Sequence, residues 1–236
     1  MKCVFCQNYE LSHQGCGKTT DADRLSDVFL ELQSEGAHNI NLVSGEHFVP
    51  HIISALDSAK KRGLTIPVIF NCSGYVKTDT LKRLNGYIDV YLPDFKYFNN
   101  KNANAYSKAN NYVEIAKMAI DEMVSQQPQI LFDNNDMIQK GVIVRHLCLP
   151  GKTQESKSII KYLFEKYGNH IILSVMNQYT PLENVSNFPE INRKLKKKEY
   201  NDIIEYCIRL GIDNAFIQEE GTADESFIPN FNGEGV

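Results

Sequence analysis

The 236-residue chain predicts an α/β fold, a barrel or part of one, on three observations. Strand-like and helix-like stretches alternate about five times, which implies parallel strands with right-handed crossovers, buried on both faces. No break in composition divides the chain, so a single domain is expected over residues 1–236. Polar residues recur just after the strand-like runs, where barrels of this kind keep their chemistry. A doubly wound open sheet competes, but no Gly-x-Gly-x-x-Gly follows a strand, which removes the commonest cofactor of that architecture.

Taken in order, Thr20 is placed to cap a helix with Asp21 and Asp23 in its first turn, where acidic groups suit the helix dipole. Leu25, Val28, Phe29 and Leu32 recur at helical spacing, and Gly36 stops the run. Asn39 to Val43 reads as a strand broken by Ser44-Gly45-Glu46-His47, and Pro50 opens a helix reaching about Arg62. Ile66 to Phe70 is a buried strand followed by Asn71-Cys72-Ser73-Gly74, and a helix from Thr78 to Leu84 stops at Gly86. Ile88 to Leu92 is the next strand, ending in Pro93-Asp94-Phe95-Lys96-Tyr97. An Asn-rich polar loop then leads to a longer helix with Ala116, Ala119, Ile120 and Met123 on one face. Val142 to Leu149 is a strand, Thr153 caps a helix that closes at Gly168, and Ile171 to Met176 is a strand. Ile203, Ile204, Cys207 and Leu210 mark a last helix before Gly211, and Ala215 to Gln218 is a short apolar stretch.

Hydrophobic content of 42% with 23% charged residues is ordinary globular composition. A net charge of −4 gives no reason to expect nucleic acid or an anionic membrane as partner. The basic run Arg193 to Lys198 reads as a solvated linker and first helical turn. No apolar run reaches the ~20 residues of a membrane span, and the N-terminus has no signal-like core. The six cysteines are scattered through a chain too large to need disulfides, so a cytoplasmic protein with reduced thiols is expected.

Cys3-Val4-Phe5-Cys6 is a soft-ligand loop at the start of the chain. Two thiolates this close can grip zinc, cycle as a redox pair, or hold part of an iron–sulfur cluster. Further on, each strand end carries polar groups: Gly45 and Glu46; Asn71, Ser73 and Gly74; Asp94 and Lys96; Arg145 and His146; Asn177, Gln178 and Tyr179. Singly each reads as a turn or an ion pair, but together they favour a site. Arg145 within an apolar strand needs a carboxylate, and a ligand carboxylate bound bidentately would serve.

Cys3-x-Phe5-Cys6-Gln7-Asn8 resembles the end of the Cys-x3-Cys-x-aromatic-Cys cluster loop of the radical S-adenosylmethionine (radical SAM) superfamily. The whole chain resembles the branch related to pyruvate formate-lyase activating enzyme, through Cys3–Glu10, Tyr91–Tyr97, Val144–Gly151, Gln178–Pro181 and the tail through Glu225–Pro229. The resemblance implies a partial (β/α)6-type barrel, a [4Fe–4S] cluster and S-adenosylmethionine. Cys3 and Cys6 would be the second and third cluster ligands. Gly45 and Glu46 would meet the methionine amino group, with Ser44 in place of the motif's usual first glycine. Asp94 and Lys96 match an Asp-x-Lys contact to S-adenosylmethionine, and Arg145 matches an arginine near its carboxylate. His47 and His146 are expected to face the same mouth. The first cluster cysteine would fall before Met1, so the chain is expected to lack that ligand and the barrel's first strand, leaving the Asn39–Val43 strand with an unpaired edge. Cys16 is at the wrong spacing to replace it.

The implied reaction is reductive cleavage of S-adenosylmethionine, followed by hydrogen abstraction by the resulting radical. The implied partners are a protein substrate of the glycyl radical enzyme kind and a low-potential electron donor. Two other readings stay open at this point. One is a non-catalytic truncated barrel whose Cys3–Cys6 pair binds zinc or no metal. The other is a thiol–disulfide enzyme, against which stands the absence of a strand before the cysteines and a helix after them.

Overall fold

A computed structural model describes residues 1–9 and 17–218. Six strands run parallel in one sheet: β1 Ile40–Val43, β2 Val68–Cys72, β3 Val90–Pro93, β5 Ile138–Leu147, β6 Ile172–Met176 and β7 Ala215–Ile217. A short strand, β4 Leu131–Phe132, pairs antiparallel with β5 as a hairpin arm. The helices are α1 Ala22–Ser34, α2 Val49–Lys61, α3 Thr78–Arg83, α4 Asn100–Ser107, α5 Tyr112–Gln126, α6 Thr153–Tyr167 and α7 Lys197–Leu210. None of the described helices is long and apolar enough to cross a membrane.

The parallel strands lie side by side in chain order, β1-β2-β3-β5-β6-β7. A doubly wound sheet needs a reversal of strand order, and here there is none. The architecture is that of a partial barrel: among the described residues the sheet does not close, and β1 and β7 form its edges.

Strand alternation divides the sheet into two faces. The outer face carries Val68, Phe70, Tyr91, Val142, Val144 and Val175 into the main core, under helices that supply Leu56, Leu81, Ile120, Ile160 and Ile203. The inner face carries Ile69, Val90, Ile143 and Ile172 as a smaller cluster, closed from below by Ile130 and Ile138 of the hairpin arm. Toward the strands' carboxyl ends, the same inner face continues through Asn71, Asp94 and Arg145. Cross-strand register aligns them: Asn71 pairs with Leu92, Arg145 with Ser174, and Asp94 forms a parallel bridge with Arg145. At the two edges this face is open, and Val43 and Phe216 are 53% and 52% exposed.

Local chemistry explains where elements begin. Asp21, not Thr20, caps α1 by accepting the Arg24 N–H at 2.8 Å. Thr153 is the first residue of α6 rather than its cap. The Asn-rich stretch expected as loop contains α4, capped by the Asn99 side chain on the Lys101 N–H at 2.9 Å. Ala103, Tyr106 and Ser107 form its buried side. Gly211 ends α7 at φ +75°, the left-handed turn expected of it.

Candidate active site

The cysteine loop is moored to α4. The Lys2 and Val4 N–H groups donate to the Ser107 and Tyr106 carbonyls, each at 2.9 Å, and the Cys6 N–H turns back to the Cys3 carbonyl at 3.2 Å. Phe5 between the two thiols is buried and meets Tyr179 edge to face at 5.7 Å. Cys3 and Cys6 carry thiols rather than a disulfide. The Ser107 hydroxyl donates to the Cys3 sulfur at 3.0 Å, and the Tyr97 hydroxyl lies 2.6 Å behind Ser107. Burial pushes the Cys3 thiol up in pKa, against the opposing pull of Lys96 and the Ser107 hydrogen bond.

Asp94 lies at the centre. One carboxylate oxygen accepts the Arg145 Nε–H at 2.8 Å, and the other meets the Lys96 ammonium. The Arg145 Nη2 group also donates to the Asn71 side-chain oxygen at 2.6 Å. Burial alone would raise the Asp94 carboxyl, but Lys96 and Arg145 outweigh it and hold the group below its ordinary range. Burial likewise opposes charge on Lys96, yet Asp94 and Cys3 together raise it. The Lys96 ammonium meets Asp94 and also interacts with Cys3, which brings a cation between the carboxylate and the cysteine loop. Arg145 thus finds the carboxylate it was expected to need within the protein, in Asp94.

Gly45 and Glu46 form a tight turn, Gly45–His47, directly after β1. A Cβ on Gly45 would stand 2.8 Å from the Ile52 side chain and 3.4 Å from the Phe70 ring, so the backbone here packs where no side chain fits. Ser44, in the motif position of a glycine, adopts φ +55°. The Glu46 carboxylate accepts the Ser73 N–H at 3.2 Å, joining the ends of β1 and β2. Gly74 at φ +73° then passes against the Asp94 carbonyl.

One expected residue, His146, is placed differently. His146 is next to Arg145 in the strand, so it projects to the opposite face. It is buried under α6, bonded to the Phe95 carbonyl at 2.9 Å and the Ser156 hydroxyl at 2.8 Å, and burial lowers its pKa to about 4. His47 is exposed on its turn. Cys16 and the Glu225–Pro229 stretch lie outside the described residues.

Sequence reasoning missed Ser107, Tyr97 and Tyr112. The Tyr112 hydroxyl accepts the Lys96 N–H and donates to the Asp94 carbonyl, both at 2.9 Å, so it holds the Asp-x-Lys turn. The signal for α4 was present in Asn99 followed by Ala103 and Tyr106 at helical spacing.

Against a cluster-binding role, the donor set fits two corners. Cys3 and Cys6 share one turn, with a cation and a hydroxyl donor beside Cys3 to stabilise a thiolate. Among the described residues no set of three His, Cys, Asp or Glu side chains could hold a metal. A third ligand therefore does not come from them.

The comparisons agree on the fold. The chain is 28% identical over 219 residues to the uncharacterised protein MJ0674 of Methanocaldococcus jannaschii, covering 90% of this chain and 60% of that one. Streptococcus suis SuiB, solved bound to its precursor peptide SuiA, superposes with a TM-score of 0.62 at 11% identity, over 94% of this chain and 46% of SuiB. A domain of pyruvate-formate lyase-activating enzyme from Bacteroides vulgatus superposes with a TM-score of 0.52 at 13% identity, over 76% of this chain and 98% of that domain. This chain spans less than two thirds of MJ0674 and about half of SuiB. The model of the Radical SAM superfamily, whose members are enzymes using a [4Fe–4S] cluster and S-adenosylmethionine, matches residues 1–163, and the chain belongs to that superfamily.

Proposed function

We propose that the Cys3–Cys6 loop holds two irons of a [4Fe–4S] cluster and that Gly45, Glu46, Asp94, Lys96 and Arg145 bind S-adenosylmethionine beside it. The observation that carries this reading is the Asp94 cluster: a carboxylate between two cations, one of which also faces Cys3. The chemistry these residues offer matches an amino-acid end group. Asp94, kept ionised, and Glu46 can each accept from an ammonium. Arg145 uses Nε and Nη2 within the protein, and Nη1 remains to meet a carboxylate. Gly45 lets the turn after β1 pack against Ile52 and Phe70, which sets Glu46 at the carboxyl end of that strand. Tyr112 fixes the spacing between the Asp94 and Lys96 backbones, so these groups need no reorganisation as the ligand arrives.

When bound, the cluster and S-adenosylmethionine supply one-electron reductive cleavage and hydrogen-atom abstraction. The protein's part is to orient both, with Phe5 and Tyr179 shielding the loop from water. We infer an activase-like role on a glycine of a protein substrate, with a low-potential donor as second partner. Support comes from the sequence resemblance and from two neighbours, one solved with a peptide and one a domain of an activating enzyme.

Anaerobic reconstitution with iron and sulfide tests the reading. In a form extended upstream to supply the first cluster cysteine, the expected product is brown with ~4 iron atoms per chain, falling steeply in Cys3→Ala or Cys6→Ala. A colourless product that retains zinc or no metal would instead support a non-catalytic barrel.

A further inference from the structure

Resting on the cluster reading above, we propose that Ser107 and Tyr97 form a hydrogen-bond relay to Cys3 that raises the reduction potential of the cluster. The Ser107 hydroxyl lies 3.0 Å from the Cys3 sulfur and 2.6 Å from the Tyr97 hydroxyl. Serine has one hydroxyl proton, and the sulfur receives it, so Tyr97 must be the donor to Ser107. Both side chains are fully buried, so water does not compete for either bond. The geometry is held by main chain as well: the Ser107 carbonyl accepts the Lys2 N–H, and the Tyr106 carbonyl accepts the Val4 N–H. Sulfur and hydroxyl thus belong to two segments clamped together on either side of the contact.

A donor aimed at a ligating thiolate draws charge from the sulfur. The reduced cluster carries one more negative charge than the oxidised one, so it gains more from that donor. Tyr97 polarises Ser107 and strengthens the bond in front of it. Ser107 and Tyr97 are therefore positioning residues that set how readily the electron is accepted.

Redox titration of the reconstituted extended form, followed by electron paramagnetic resonance, tests the relay. Ser107→Ala should load iron and sulfide as the parent does, yet shift the midpoint to lower potential by about tenfold in the reduction equilibrium, ~59 mV for a one-electron couple. Tyr97→Phe keeps the ring in the core and should shift it the same way by less, which covers the case of a poorly folded Ser107→Ala. An unmoved midpoint in a fully loaded Ser107→Ala, or in Tyr97→Phe if the former fails to fold, overturns the relay and leaves the cluster reading standing. An extended parent that takes up no iron overturns the cluster reading and the relay together.

Discussion

Gly74 is the residue at the site with the least freedom to change. Its φ of +73° is left-handed, and a Cβ there would stand 2.1 Å from the Asp94 carbonyl oxygen. Gly74→Ala therefore costs roughly 1–2 kcal/mol for the backbone alone, and it must also push Asp94 away from Arg145 and Lys96. A lower melting temperature together with weaker S-adenosylmethionine binding by calorimetry is expected; a melt and an affinity equal to the parent's would show that Asp94 is not held from this side. His146 makes a different prediction, one of pH. It is buried as the neutral ring, and burial lowers its pKa to about 4, whereas the unfolded chain takes up the proton near its ordinary value of about 6.5. Its contribution is thus present in full above about pH 6.5 and is lost as pH falls toward about 4, a span worth ~3 kcal/mol. Urea unfolding at about pH 7 and about pH 4.5 should show this loss in the parent, and most of it should vanish in His146→Gln. Arg145 and His146 also show what was legible at this scale. Both residues stood out as polar groups in an apolar strand, but alternation sends one to the mouth and the other beneath α6. The strand period was enough to separate them; which of the two faced the mouth followed only from the pairing of Arg145 with Asp94.

Between elements, one side chain does the joining at the last crossover. The Glu199 carboxylate accepts the Gly151 N–H at 2.8 Å, the Lys196 N–H at 3.0 Å and both Arg193 Nη groups at 2.7 Å. It ties the loop after β5 to the first turn of α7. Arg193 chiefly, with the two backbone donors and against partial burial, holds its pKa at about 2. The basic run there is accordingly part anchor and part solvated surface: Arg193 is engaged, while Lys194, Lys196, Lys197 and Lys198 are exposed. Glu199→Ala should destabilise by ~1–3 kcal/mol. In the parent this contribution is present above about pH 4.5 and is lost as the carboxyl protonates on the way down to about 2; a Glu199→Ala melt unchanged at neutral pH would deny the anchor. Most helices were legible because their apolar period and glycine stops agree. The α4 helix was not, because asparagine favours turns and masks a buried side of only Ala103, Tyr106 and Ser107. That omission hid the residues that hold Cys3. The β4 arm was also missed, since two exposed residues, Leu131 and Phe132, carry no alternation to read.

At the scale of the molecule, the site exists only when several distant segments meet. Asn71 ends β2, Asp94 and Lys96 follow β3, Arg145 lies in β5, and the cysteine loop is held by α4. The alternation of strand and helix made this convergence at the carboxyl ends readable, because a chain-ordered parallel sheet places every such end on one rim. The hydrogen-bond partners were not readable, since they depend on register between strands that are far apart in sequence. A ligand that spans this rim should therefore act on global stability rather than on one loop. At a hundredfold excess over its Kd, S-adenosylmethionine adds ~2.7 kcal/mol to unfolding, which for a chain of this size is roughly 5–11 °C in Tm. The rise should depend on concentration and should largely disappear in Arg145→Ala, where Asp94 keeps Lys96 but the carboxylate end of the ligand has lost its guanidinium. An exposed charge far from the rim, such as Arg209, provides the control: Arg209→Ala should keep the full rise. A melt of the parent that does not move with S-adenosylmethionine would take this rim out of ligand binding, and a full rise in Arg145→Ala would remove the guanidinium alone from the set.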